Sequence, residues 1–310
     1  MRVGGAGGTR HIGRVSAPVV FDRPLVRRRL RRALMQGYAD FLLRRAADEL
    51  EERLAPVLRE FPLALDLGTP TAAAAERLIA GGRCGRVVRM APVPDGSLGP
   101  LVVGDEEALP FRPESFDLAV SLLALQGVND LPGALVQVRR ALKPDGLFLG
   151  CLLGGATLAE LRQAFVAAEA EVEGGLSPRV APFADVRDLG HLLQRAGFAL
   201  PVADVESVAV RYAGPFGLFR DLRAMGLANA LADRRRTPLR RATLLRAAQI
   251  YAERFADPDG RVRATFEVVW LSGWAPHESQ QKPLRPGSAK ARLADALGVE
   301  ERGLGEKARP

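Results

Sequence analysis

Cysteine, histidine and the larger aromatics are scarce in this chain: 310 residues include 2 Cys, 3 His, 2 Trp and 3 Tyr. Cys84 and Cys151 lie in or beside apolar runs of separate elements and have no CxxC partner. That spacing argues against a disulfide framework or a zinc site and for a reducing compartment. The histidines, His11, His191 and His277, are far apart, so no sequence pattern stands behind a two-histidine, one-carboxylate iron site, and no metal is expected. His191, in the apolar stretch LGHLLQRAGF, reads as a satisfied core or interface residue. No window approaches the roughly 18 continuous apolar residues of a membrane helix, which predicts a soluble chain without a span. No aromatic residues interleave the basic ones as a stacking platform, so no nucleic-acid partner is expected.

What the chain has in plenty is arginine. The net charge is +8, and much of it is concentrated over residues 23–45 and 234–246. Such a balance suits an acidic partner surface, although basic faces are also simply solvated ones.

The most informative stretch is residues 61–75, FPLALDLGTPTAAAA. Its apolar run is too short for a helix and stops at Gly68, so it predicts a buried parallel strand, an acidic turn and then a helix. Thr69 or Thr71 is placed to cap that helix, with Pro70 in the first turn. Asp66 either faces a ligand beyond the strand end or caps the turn.

The remaining elements follow from periodicity and punctuation. One helical pattern covers 21–60, and strands are predicted at 86–90, 101–103, 115–123, 147–153, 201–210 and 265–274. Helices fall at 130–142, capped by Asn129 or Asp130 and ended by the KPDG turn, then at 154–172 and at 185–196, ended by Gly197. An arginine-rich helical segment of about 50 residues, 212–257, splits the last two strands, and its length marks it as a lid or partner platform. The fold class is therefore α/β, a doubly wound, seven-stranded, mostly parallel Rossmann-like sheet with an N-terminal helix and a helical insertion before the last strand. Residues 1–20, glycine- and arginine-rich and without an acidic side chain before Asp22, read as a disordered extension, a targeting segment or an over-long start. A polar, basic tail covers 275–310 and is expected to be largely extended.

Four motifs at their separations, LDLG at 65–68, GDEEALPF at 104–111, SFDLAVS at 115–121 and LKPDG at 142–146, resemble the class I S-adenosylmethionine-dependent methyltransferases. Further segments, FDR at 21–23, VNDLPGAL at 128–135, GGATLAELR at 154–162, EGGLSPRVAPF at 173–183 and HES at 277–279, are similar to the mitochondrial complex I assembly factor 5 family and its bacterial relatives. The resemblance implies a methyltransferase fold acting on a respiratory complex I subunit during assembly, by arginine hydroxylation or methylation. It implies cofactor contacts at Asp66, Gly68, Asp105 and Glu106, with Ser121 and Leu122 on the pocket floor, and leaves the catalytic residues unknown. It also implies the bacterial cytoplasm, or the mitochondrial matrix in a eukaryote.

The chain departs from the family pattern in three places. Thr69, Pro70, Thr71 and Ala72 replace a glycine-rich turn. The second strand ends in Met90, Ala91 and Pro92 where an acidic ribose ligand is usual, and Asp95 comes late for that role. Gln126 and Gly127 stand where a His-Trp pair is usual. Each lost polar contact weakens a ligand by about 1 to 3 kcal/mol, so reduced S-adenosylmethionine affinity is expected. The rival functions are a non-catalytic assembly chaperone and a methyltransferase for a small molecule or a carrier protein.

Overall fold

The computed structural model describes residues 19–97, 100–281 and 298. Its sheet is built outward from β1 (Phe61–Leu67), whose inner residues Ala64, Leu65 and Leu67 are fully buried. Parallel to it run β2 (Cys84–Ala91) on one side and β4 (Phe116–Leu122) on the other, with β3 (Leu101–Val103) beyond β2 and β5 (Leu142–Leu153) beyond β4. The order is completed by β7 (Val262–Trp274), antiparallel to β5, and by β6 (Ala199–Tyr212) at the edge, antiparallel to β7. The resulting sequence β3-β2-β1-β4-β5-β7-β6 reverses direction between β1 and β4, and that switch point opens the crevice in which such sheets hold ligands.

Burial on both faces explains the continuous apolar runs. The pleat sends Leu118, Val120 and Leu122 of β4 into one core and Ala119 into the other. The first core packs against α2 (Phe41–Leu54), α3 (Ala73–Ala80), α5 (Ala159–Val172), α7 (Pro215–Ala224) and α8 (Arg241–Phe255). The second is covered by α4 (Leu131–Ala141) and α6 (Val186–Arg195). Cys84 and Cys151 are free thiols buried in the first core, where burial pushes their pKa values up to about 11 and about 12.

Several boundaries differ from the sequence reading for local reasons. The pattern over 21–60 is two helices, α1 (Arg23–Gln36) and α2, broken at residues 37–40. Neither threonine is the N-cap of α3: Thr69 Oγ1 accepts instead from Leu122 N (3.2 Å), tying the turn after β1 to the end of β4. Thr71 Oγ1 accepts from Ala73 N (3.3 Å) in the turn leading into the helix. Asp130 caps α4 by accepting from Gly133 N (2.8 Å), whereas Asn129 has another task. The KPDG turn is absorbed into β5, which starts directly after α4. The insertion is α7 and α8 joined by an irregular connector at 225–240. Helix α7 stops because Gly226 takes φ +73° and closes a Schellman turn, with Leu227 N donating to Leu222 O (2.8 Å). A side chain there would also meet Leu30 Cα of α1 at 3.1 Å.

The segment before α1 is pinned from two sides. Asn129 Oδ1 accepts from Val20 N (2.9 Å) and Phe21 N (2.7 Å), while Asp22 N donates to Ala230 O and Ala232 N to Val20 O (both 2.9 Å). The first residues of α1 are thereby joined to both the loop after β4 and the connector of the insertion. The expected disordered extension and extended tail lie mostly outside the described residues. Met1–Pro276 form one compact unit and His277–Pro310 a second; in the second, His277 Nδ1 lies 2.7 Å from Ser279 Oγ.

Asn129→Ala removes the acceptor of two backbone N–H groups in a half-buried setting. We expect it to cost about 1 to 3 kcal/mol of stability, read from urea unfolding midpoints, and an unchanged midpoint contradicts the pinning role.

Candidate functional site

At the carboxyl ends of β1 and β4 the backbone must turn away from the sheet. Gly68 does so with φ +75°, its N–H donating to Met90 O at 2.6 Å. Leu123 leaves β4 with φ +50°. Ala124 then lies across from Gly68, so that a Cβ on Gly68 would stand 2.9 Å from Ala124 Cβ and 3.3 Å from Glu106 Oε1.

Two charge clusters flank this point. In the first, Asp66 pairs in register with Arg89 of β2, and Arg89 Nε lies 3.3 Å from Asp66 Oδ2. Arg89 Nη2 is also 2.9 Å from Asp95 Oδ2, and its Nη1 donates to Ser97 Oγ at 2.6 Å. One guanidinium therefore serves two carboxylates. Asp66 is buried, and its Oδ1 has no hydrogen-bond partner. Burial raises its pKa to about 6, with the Thr69 hydroxyl and Arg89 pulling the other way. Burial also acts to raise Asp95, but hydrogen bonds from Arg89 and Ser97 outweigh it and hold that carboxyl below its ordinary value.

The second cluster is the turn after β3. Arg23 of α1 donates from Nη2 to Asp105 Oδ1 (2.8 Å) and to Glu106 Oε2, and from Nη1 to Gly127 O (3.0 Å). Arg27, one turn on, pairs with Asp105 Oδ2. Burial works against the Arg23 charge, yet Glu106 and Asp105 overcome it and raise its pKa. Asp105 is likewise held low despite its partial burial, by the Glu107 N–H and by the two arginines.

Between these clusters and the helical layer lies a cavity of about 300 Å³. Its sheet side is Gly68, Pro70, Leu123 and Ala124, and its far side is Leu161 and Phe165 of α5 with Leu222 and Met225 at the end of α7. Arg23, Arg27, Glu106, Arg179 and Arg223 supply its charged lining. Arg179 is not free, since it is held by buried Glu169. An apolar slot with a few fixed charges accepts the hydrocarbon part of a long side chain or a flat ring and excludes bulk water from its inner end.

Of the six sequence-predicted contacts, Gly68 and Glu106 line this cavity. Asp105 sits beside it in the ion cluster. Asp66 is buried against Arg89, and Ser121 and Leu122 are fully buried. The floor is made by Leu123 and Ala124 rather than by Ser121 and Leu122, because those two are still within β4, where the pleat turns them into the packed layers. Ser121 Oγ has no hydrogen-bond partner there. Gln126 and Gly127 also line the cavity, and Gln126 Nε2 donates to Leu123 O (2.7 Å).

Sequence reasoning missed Arg23, Arg27 and the Arg89–Asp95 pair. Arg23 and Asp105 are 82 positions apart, and the one signal for the former was the FDR segment. His191 is exposed on α6, which corrects the expectation of a core residue: it projects from the outer face of a helix whose buried side is Leu189 and Leu193. Among the described residues no group of three His, Cys, Asp or Glu side chains converges as a metal site.

The chain is similar to several known proteins. A methyltransferase domain family model matches residues 64–150. The mitochondrial arginine-hydroxylase NDUFAF5 of Danio rerio is 41% identical over 291 residues, covering 89% of each chain. The human protein of that name is 42% identical over 87% of this chain and 81% of its own. A malonyl-[acyl-carrier protein] O-methyltransferase of Halorhodospira halophila is 37% identical over 84% of this chain and 89% of its own. Among solved structures, a candidate methyltransferase from Bacillus halodurans matches with TM-score 0.51 at 16% identity, over 74% of this chain and 98% of its own.

Asp66 ionises less readily in the folded state than at its ordinary value of 3.8. Folded and unfolded forms are both protonated below that value. As pH climbs from there to about 6 the unfolded state ionises first, and stability falls. Wild type is therefore expected to lose roughly 3 kcal/mol relative to Asp66→Asn across that window, measured as denaturation free energies at both ends. A pH-independent difference contradicts the buried, raised carboxyl.

Proposed function

The chain belongs to the family of the NDUFAF5 arginine-hydroxylases, and from that membership we propose that it oxygenates an arginine side chain of a protein client, a respiratory complex I subunit under assembly. The observation that carries this reading is the sequence identity, 41–42% to these proteins over 87–89% of the chain against 37% over 84% for the carrier-protein methyltransferase. An apolar slot of this size suits an extended arginine stem, with the guanidinium left at a polar end.

Hydroxylation replaces a C–H bond of the arginine stem by C–OH. One oxygen atom of dioxygen enters the product, and the other takes up two protons and two electrons from a cellular two-electron reductant and leaves as water. What this protein's own residues contribute is an enclosed site: Leu123 and Ala124 hold the floor, and the arginine pair of α1 keeps that helix against it. The client places the protein in the bacterial cytoplasm or the mitochondrial matrix, wherever complex I is assembled.

S-adenosylmethionine is the cofactor the fold implies, and these residues fit it poorly. Glu106 and Asp105 are already engaged by arginines, and β2 ends without a carboxylate. No step is assigned to it. The same internal pairing supports, as a second reading, an assembly chaperone that retains the fold without the cofactor.

Two measurements decide. Mass spectrometry of complex I subunits from a strain without the gene is expected to show one arginine peptide lacking the oxygen atom it carries in the parent strain. If that peptide is identical in both strains, the hydroxylase reading fails. Calorimetric titration of the purified protein with S-adenosylmethionine is expected to give no saturation at micromolar ligand, and a micromolar isotherm refutes the poor fit.

A further inference from the structure

One face of the molecule carries arginines that the fold itself does not neutralise. Arg28 and Arg31 of α1, Arg220 and Arg223 of α7, and Arg236 of the connector are exposed. None of them forms a salt bridge among the described residues. The elements that bear them are neighbours: the backbone of α1 at Arg29 and Leu30 packs on Gly226 just after α7, and Arg234 of the connector pairs with Asp22 at the start of α1.

Two acids of this region, Asp22 and Glu173, are engaged internally, while Asp221 of α7 lies in sequence between Arg220 and Arg223. Asp22 accepts from Leu25 N and Arg234, and Glu173 takes Arg235, Arg240 and Thr243. Asp233 is exposed. Arg29 is half-buried with Nη1 unpartnered, and burial together with the Arg234 and Arg28 charges lowers its pKa. A guanidinium remains charged in such a place, so the face holds cations against their own repulsion. An incoming anion relieves that repulsion.

Position gives the face its meaning. Exposed Arg223 also lines the cavity, so the basic surface runs to it. A client arginine approaching it carries the wrong sign, and acidic neighbours in the client remove the conflict while steering the encounter. We propose that the α1–α7 arginine face is a docking surface for an acidic stretch of the protein client that flanks the side chain entering the cavity. The inference rests on the reading of a protein client.

The test is fluorescence anisotropy with a labelled glutamate-rich peptide, its glutamine-substituted twin and a single-stranded RNA oligonucleotide. The triple variant Arg28→Glu, Arg31→Glu, Arg220→Glu changes exposed positions outside the cavity. A control triple, Arg112→Glu, Arg187→Glu, Arg195→Glu, makes the same charge change at exposed positions on other elements. We expect the acidic peptide to bind and the twin not to, with the first triple weakening binding by about tenfold or more and the control by no more than about twofold at moderate salt. Equal losses in the two triples, binding of the twin as tight as that of the acidic peptide, or no binding of the acidic peptide each overturn the proposal. RNA binding tighter than the acidic peptide also overturns it and makes the face a nucleic-acid surface. A client arginine still oxygenated in cells whose protein ignores the acidic peptide removes the docking surface and leaves the client reading intact.

Discussion

The guanidinium of Arg23 is the constraint on which the candidate site depends. It reaches from the first turn of α1 to Asp105, Glu106 and the carbonyl of Gly127, and so joins a helix, the turn after β3 and the turn after β4. Both Arg23 and Glu106 are nearly sealed from water, their side chains 11% and 3% exposed. Removing one member of such a pair strands the other, at a cost of about 3 to 5 kcal/mol. The cluster therefore holds α1 down far more firmly than its few apolar contacts would. With α1 come Val26 and Leu30, which close the near wall of the cavity.

The same logic governs Arg89. Strand register places it opposite Asp66, and the loop after β2 brings Asp95 to its other edge. Sheets of this kind commonly present carboxylates at these strand ends to a nucleoside. Here the carboxylates face arginines of the same molecule. A ligand competing for them must displace a charge-assisted bond rather than water, which is a much harder exchange. The sheet thus retains its switch-point crevice, while its polar rim is satisfied from within and the free volume is displaced toward the apolar helical layer.

Relatives with different chemistry match this chain over most of its length. The methyltransferase core at 64–150 supplies the crevice, whereas the elements after β5 shape what enters it. Leu161, Phe165, Leu222 and Met225 all come from those later elements. Function on this scaffold is a property of the grafted wall, and the fold by itself does not specify it.

The positions of the strands, the doubly wound class and most helices were legible in the sequence, because buried parallel strands are continuous apolar runs and their turns need particular residues. LDLG at β1, Asp130 at the start of α4 and Gly197 after α6 are local signals, each acting over a few positions. What the sequence could not show was which charges meet. Arg23 with Asp105 and Arg53 with Asp204 join residues 82 and 151 positions apart. An ion pair leaves no periodic trace, since its strength depends on distance and burial and not on sequence neighbours. The sequence by itself determined that a strand would end at an acidic turn beside a crevice. Only the tertiary structure decided that the crevice's carboxylates would be taken by arginines, because folding alone sets the dielectric and the geometry in which those charges find one another.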